Sequence, residues 1–121
     1  MAEESIRQGN IYWIDLGEPP GSEPGYRRPF VVVQNDLLNS SRLRTVVVCA
    51  LTTNVQRALI PGNVALGPGE GNLPRQSVVN VTQIYTVDKS ALEECLGTLA
   101  PSRIRQVLDG IALTLEPRSP S

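Results

Sequence analysis

Two consecutive arginines, Arg27 and Arg28, stand at the junction between a loop and a strand. The residues before them cannot form regular structure, because Pro19, Pro20, Gly21, Pro24 and Gly25 punctuate the stretch too densely. That loop carries Glu23 and Tyr26. The residues after them, Phe30 to Val33, are an apolar, mostly β-branched run of the kind that makes a buried strand. A charged pair at the mouth of a buried strand, under a Gly/Pro-rich flap with a carboxylate, suits anion chemistry. A guanidinium stays protonated at neutral pH, so Arg28 cannot serve as a base, yet it can hold a phosphate and neutralise charge that develops on it. The competing reading is structural: Arg28 pairs with Glu23 or Asp15 and pins the loop. The residues alone weigh the two readings equally. Glu23 is the nearest candidate for proton transfer, but an ordinary glutamate is a weak base unless burial or loop closure raises its pKa. A loop-capping carboxylate is an equally good reading of Glu23, and Asp15 has the same status.

Composition narrows the chemistry further. At 121 residues the chain reads as one domain, 1–121, with flexible ends expected over 1–9 and 116–121. Its longest apolar run, Val46 to Leu51, is far too short to span a membrane. The acidic start lacks the apolar core of a signal peptide, and the expected location is the cytoplasm. There is no histidine, which removes a Ser-His-Asp triad, a two-histidine ribonuclease mechanism and a histidine-ligated metal. The two cysteines, Cys49 and Cys95, are too isolated for a zinc knuckle or a Cys-x-x-Cys site, and Cys49 reads as a small core residue. Neither a metal nor a cofactor is expected. The net charge of −1 is unevenly spread: residues 27–90 hold seven bases and three acids, whereas residues 1–26 hold one base and five acids. Ten of the eleven cationic residues are arginine, which favours bidentate recognition of phosphate or carboxylate over diffuse attraction.

The elements that must position these residues follow from hydrophobic pattern. Strands are predicted over 10–16, 29–35, 44–51, 63–66, 76–81, 83–87 and 95–99, with a kink between the fifth and sixth. Residues 36–43 read as polar turn, and 88–92 as turn or short helix. The third strand delivers Thr52, Thr53 and Asn54 to a sheet edge, where a polar turn is the default reading. Pro101 suits the first turn of a helix, and Ile104, Val107, Leu108, Ile111 and Leu115 make one apolar stripe on it. Gly110 inside that helix costs about 1 kcal/mol against alanine, so a packing reason is expected. Short strands and one terminal amphipathic helix make a mainly β fold, a small barrel or sheet with the helix packed on it.

The ordered set of motifs resembles the MazF/PemK/Kid family of toxin endoribonucleases, the mRNA interferases. The resemblance rests on Asp15 within Ile11 to Leu16, on Gly21-Ser22-Glu23, on Arg28-Pro29 with the strand ending in Gln34-Asn35-Asp36, and on Leu51-Thr52-Thr53. It continues through Ser77 to Ile84 and Val87-Asp88-Lys89, so it covers nearly the whole chain in order. It implies an SH3-like β-barrel with a C-terminal helix, a homodimer, and metal-independent cleavage of single-stranded RNA by the substrate's own 2′-hydroxyl. In that reading Arg28 and a hydroxyl at Thr52 hold the scissile phosphate, with Glu23 a candidate for the proton. Arg27, Tyr26, Asp15, Thr53, Asn80 and Gln83 become candidate RNA contacts. Trp13, Tyr26 and Phe30 could stack on bases, with Tyr26 the better candidate and Trp13 assigned to the core. Arg27 departs from the family pattern, since many relatives carry one arginine before the proline. The implied partner is an antitoxin of the MazE kind that binds through an acidic tail. The rival reading, from another class, is a non-enzymatic inhibitor that binds DNA gyrase through the same fold, as CcdB proteins do. That rival does not need Arg28-Pro29 followed by Thr52.

Overall fold

The computed structural model describes residues 5–17 and 27–118. The β-branched runs become six strands: β1 (Asn10–Asp15), β2 (Arg27–Val32), β3 (Thr45–Thr52), β4 (Val64–Leu66), β5 (Ser77–Asp88) and β6 (Cys95–Thr98). They form one sheet in the order β4-β5-β3-β2-β1-β6, and every pairing in it is antiparallel. Two helices accompany it, the single turn α1 (Asp36–Asn39) and the terminal α2 (Pro101–Leu115). The turn expected over 36–43 therefore opens with α1. Asn35 caps it by accepting from the Leu37 N–H at 2.8 Å, and the buried Asn39 side chain donates to the Gln34 carbonyl at 2.8 Å.

The two strands predicted over 76–81 and 83–87 are one strand, β5, bent at the expected kink. Its register against β3 jumps from Cys49↔Ile84 to Leu51↔Val79, so two steps along β3 match five along β5. The surplus falls at Asn80 to Gln83 and bends the strand, as bulges do. The sheet curls there. Its outer strands, β4 and β6, are linked by the 3₁₀ turn Glu70–Asn72: the Asn72 side chain donates to the Leu96 carbonyl at 3.0 Å. A Cβ on Gly97 would lie 2.6 Å from the Gly71 carbonyl oxygen, so β6 admits the turn only because it carries glycine there. Glu70 holds the turn from inside, accepting from the Gly67 N–H at 2.8 Å and from Arg103 of α2 at 2.8 Å. The Arg103 hydrogen bond, followed by the Gly67 N–H, lowers the Glu70 pKa below its ordinary value.

Strand alternation splits the core into two faces. Ile11, Val31, Val33, Cys49, Leu51, Val79 and Val81 point to the face that α2 covers with Ile104 and Val107. Tyr12, Ile14, Phe30, Val32, Val46, Val48 and Ala50 point to the other, over which the connection from β5 to β6 lays Ala91 and Leu92. The result is the mainly β fold expected, a curled antiparallel sheet with a C-terminal helix. Gly110 has the packing reason its position demanded: a side chain there would strike the Gly62 carbonyl oxygen and approach Val81 to 2.9 Å. Leu115, expected in the apolar stripe, is 69% exposed, because α2 runs on past its contact with Gly62. Residues 5–9, the described part of the lead-in expected to be flexible, contact the sheet and α1. Ile6 packs on the second core face, Gln8 donates to Asp36 at 2.6 Å, and Gly9 donates to the Val32 carbonyl at 2.8 Å.

Candidate active site

The β2–β3 ladder runs through Val32↔Val48, Val31↔Cys49 and Phe30↔Ala50 and stops there. Beyond its last rung the two strand ends, together with the start of β5, line a cleft of about 310 Å³. Trp13, Arg27, Arg28, Pro29, Leu51, Thr52, Thr53 and Ser77 form its described walls. Continuing the register outward by two residues sets Arg28 across from Thr52, and strand alternation then puts the two side chains on the same face. Both are half-buried. Here two strand ends present side chains to each other beyond the last rung of their ladder, and a ligand can enter between.

Thr52 is held by its own turn. Its Oγ1 accepts from the Asn54 N–H at 3.1 Å, which uses a lone pair and leaves the hydroxyl hydrogen available to donate. Arg27 sits one step toward the loop from Arg28. Its Nε donates to Glu93 Oε1 at 2.8 Å, and its guanidinium carbon lies 4.7 Å from the centre of the Trp13 ring. Thr53 is exposed on the rim. Asp15 faces Arg27 in the β1–β2 register but accepts from the Gly17 N–H at 2.8 Å and does not line the cleft. Asn80 and Gln83 are not among its walls either. They belong to the β5 bend, where Asn63 donates to Asn80 at 2.9 Å and Asn80 donates to Gln83 at 3.1 Å. Glu23 and Tyr26 lie outside the described residues.

Two stacking expectations change. Phe30 is buried, edge-on to Tyr85 with ring centres 5.6 Å apart, and cannot meet a base. Trp13, assigned to the core from its sequence, lines the cleft and is only half-buried. A hairpin count would have found it: strand residues equidistant from the loop face each other, so Asp15↔Arg27 sets Trp13 opposite Pro29. Ser77 was also missed. The rung Thr52↔Val78 brings it beside Thr53, a juxtaposition that no local sequence signal carries.

The charged groups among the described walls are both cationic, and one of them, Arg27, is already paired with Glu93 behind it. The cleft's described walls hold two guanidinium groups and three hydroxyls and no carboxylate, a lining built to receive an anion. Among the described residues no three of Cys, Asp and Glu come together as metal ligands. Burial pushes the Cys49 thiol up to about 12, which keeps it protonated and inert in the core.

The family model described as the PemK-like, MazF-like toxin of type II toxin–antitoxin systems matches residues 7–115. Endoribonuclease MazF6 of Mycobacterium tuberculosis is 44% identical over 111 residues, covering 92% of this chain and 97% of that protein. Endoribonuclease MazF of Staphylococcus saprophyticus is 36% identical over 110 residues, 91% of each chain. Among solved structures, a mycobacterial endoribonuclease in complex with its cognate antitoxin superimposes with a TM-score of 0.75 at 30% identity, covering 94% of this chain and 98% of that one. MazF of Deinococcus radiodurans shares the fold, with a TM-score of 0.76 at 21% identity, covering 95% of this chain and 100% of that one.

Proposed function

The chain belongs to the PemK-like, MazF-like toxin family of type II toxin–antitoxin systems, and from that premise we infer that it is an endoribonuclease whose chemistry is done in the cleft between Arg28 and Thr52. The observation that carries this reading is the pairing itself: a guanidinium and a free hydroxyl donor on one face, where the β2–β3 ladder has stopped. A phosphodiester seated there meets Arg28 on one side and the Thr52 hydroxyl on the other. Both strengthen their hold as negative charge builds on the phosphoryl oxygens, and that differential is what accelerates a reaction.

The nucleophile is the substrate's 2′-hydroxyl, already adjacent to the phosphorus, so the protein's task is alignment and charge. The 2′-oxygen bonds to phosphorus while the bond from phosphorus to the 5′-oxygen breaks. The 2′-proton leaves to a base, and the 5′-oxygen takes up a proton, giving a 2′,3′-cyclic phosphate and a free 5′-hydroxyl. Glu23 is the proposed proton acceptor. Thr53 and Arg27 extend the contact along the strand of RNA, with Asp15, Tyr26, Asn80 and Gln83 as outlying candidates.

The test is a substrate with a single 2′-deoxynucleotide on the 5′ side of the cut. Cleavage of the all-RNA control in excess EDTA, with cyclic phosphate on the fragment, is expected, as is no cleavage of the substituted strand. Efficient cutting of the deoxy substrate, or loss of activity in EDTA that magnesium restores, would overturn the mechanism.

The mycobacterial relative in complex with its cognate antitoxin supports an antitoxin as partner here. The basic middle of this chain favours an acidic antitoxin tail that orders on binding. A homodimer completes the proposal, since one small sheet offers little concave surface for several nucleotides. The proposed site of action is the cytoplasm, where an mRNA substrate would be met. The gyrase-binding alternative is not favoured, because nothing in that activity calls for an anion-binding cleft at Arg28 and Thr52.

A further inference from the structure

Resting on the reading of the cleft as an RNA site, we propose that Arg27 is a stacking shelf for an unpaired nucleobase next to the scissile phosphate, and that Glu93 is the residue that positions it. Three elements build the shelf. Trp13 of β1 supplies a ring beneath the guanidinium, 4.7 Å from its carbon. Arg27 comes from the first position of β2. The connection to β6 supplies Glu93, whose carboxylate accepts from Nε at 2.8 Å.

The carboxylate is placed by backbone. Glu93 N–H donates to the Trp13 carbonyl at 2.9 Å, and Trp13 N–H donates to the Glu94 carbonyl at 3.0 Å, so the connection is pinned to the residue that carries the ring. Ring, guanidinium and carboxylate therefore belong to one rigid unit. Arg27 and Glu93 side chains are 49% and 41% exposed, and an ion pair in that much water contributes little to stability. What it does fix is direction. Bonded at Nε and backed by the indole, the guanidinium cannot swing freely, and among the described residues no second ring is stacked on it.

A planar, weakly hydrated cation of this kind stacks on a base as well as an aromatic ring does. Lysine would supply the same charge without the plane. Phosphate steering needs only the charge, whereas a shelf needs the plane, and the difference separates the two roles of Arg27. Glu93 touches no substrate in this scheme and acts only through Arg27.

The experiment is a cycle between protein variants and abasic substrates. RNA oligonucleotides carrying a 2′-deoxynucleotide at the cut are made with the base intact or removed at each nucleotide within two of the cut. Their Kd values are measured for wild type, Arg27→Lys, Glu93→Ala and Glu93→Gln. The chain has a single tryptophan, Trp13, so its fluorescence reports the same event at the shelf. For wild type, removing the stacked base is expected to weaken binding about tenfold or more at one position. In Arg27→Lys that penalty should shrink to under about twofold while the salt dependence of binding stays as in wild type. Glu93→Ala should lose most of the penalty, and Glu93→Gln, which can still accept from Nε, should restore it. An abasic penalty equal in wild type and Arg27→Lys at every position would overturn the shelf, and one equal in Glu93→Ala and wild type would overturn the positioning role. Cleavage of unmodified RNA by wild type is assayed alongside, so that failure of the shelf is told apart from failure of the nuclease reading.

Discussion

Replacing Thr52 by valine keeps the shape of the side chain and removes only its hydroxyl, so it isolates what that oxygen does. Two bonds are at stake. The first is structural: Oγ1 accepts from the Asn54 N–H at 3.1 Å in an exposed turn. Water can replace that partner, so the loss falls at or below the low end of the usual about 0.5–1.5 kcal/mol for a hydrogen bond. The second is the bond to the phosphoryl oxygen, which gains strength only as charge develops. Deleting one such donor from a preorganised site costs about 2.7–4 kcal/mol, roughly a hundred- to a thousandfold in rate. The expected outcome is a stability change under about 1 kcal/mol by urea denaturation and a drop in kcat/KM of about two to three orders of magnitude. Thr52→Ser, which restores the oxygen, should recover most of the rate. A valine variant that cuts RNA within about threefold of wild type would refute the assignment. So would one that loses activity only in proportion to lost fold.

Arg28→Ala should reduce cleavage by at least about a thousandfold while circular dichroism and the melting temperature stay close to wild type, and Arg28→Lys should recover only part of the loss because it lacks the planar fork. Gly110→Ala should lower stability by about 1–2 kcal/mol despite alanine's better helix propensity, since the added Cβ meets the Gly62 carbonyl and the backbone there cannot yield; the urea midpoint reads it. The Glu70 pKa is lowered in the folded state, so its contribution to stability is fully present above its ordinary value of 4.5 and is lost as the pH falls through the folded value. Glu70→Gln should therefore be less stable than wild type at neutral pH, with the gap closing as the solution is acidified, and a gap that stays constant with pH would show that the carboxylate's charge is not what holds the 67–73 turn.

What was legible in the sequence follows the range of the interactions. β-branched runs and the Pro101 start of α2 are local signals, and they located every strand of the sheet to within a few residues. The β5 kink was visible because polar residues interrupt an apolar run, but that it is one bent strand depends on β3 holding both halves. Gly110 announced a close contact through its helix cost, while its partner Gly62 lies far off in sequence. In the cleft, Arg28 was marked by its place before Pro29. Trp13 was not, because period-two alternation sorts residues to faces and cannot say where along a strand the core ends and the cleft begins. Asn80 and Gln83 lie instead at the β5 bend, away from the described cleft walls, where Asn63 donates to Asn80 and Asn80 donates to Gln83.

The cleft also explains why the chemistry sits where it does in a sheet. Inside a ladder, facing strands satisfy each other's backbone groups, and a phosphate has no room between them. Past the last rung the strands keep their register and alternation but stop bonding, so side chains remain placed to within the precision of the sheet while space opens between them. Arg28 and Thr52 lie two residues beyond Phe30↔Ala50, the next position on that face. Two residues further in, on the same face, they would take the places of Phe30 and Ala50 in the core, where an uncompensated guanidinium is costly. A few residues further out, they would ride on loop backbone and lose the fixed geometry that charge stabilisation requires. Pro29, which has no N–H to donate, and the Thr52-Thr53-Asn54 turn are thus the sequence marks beside the end of the β2–β3 ladder, and the site is the gap beyond it.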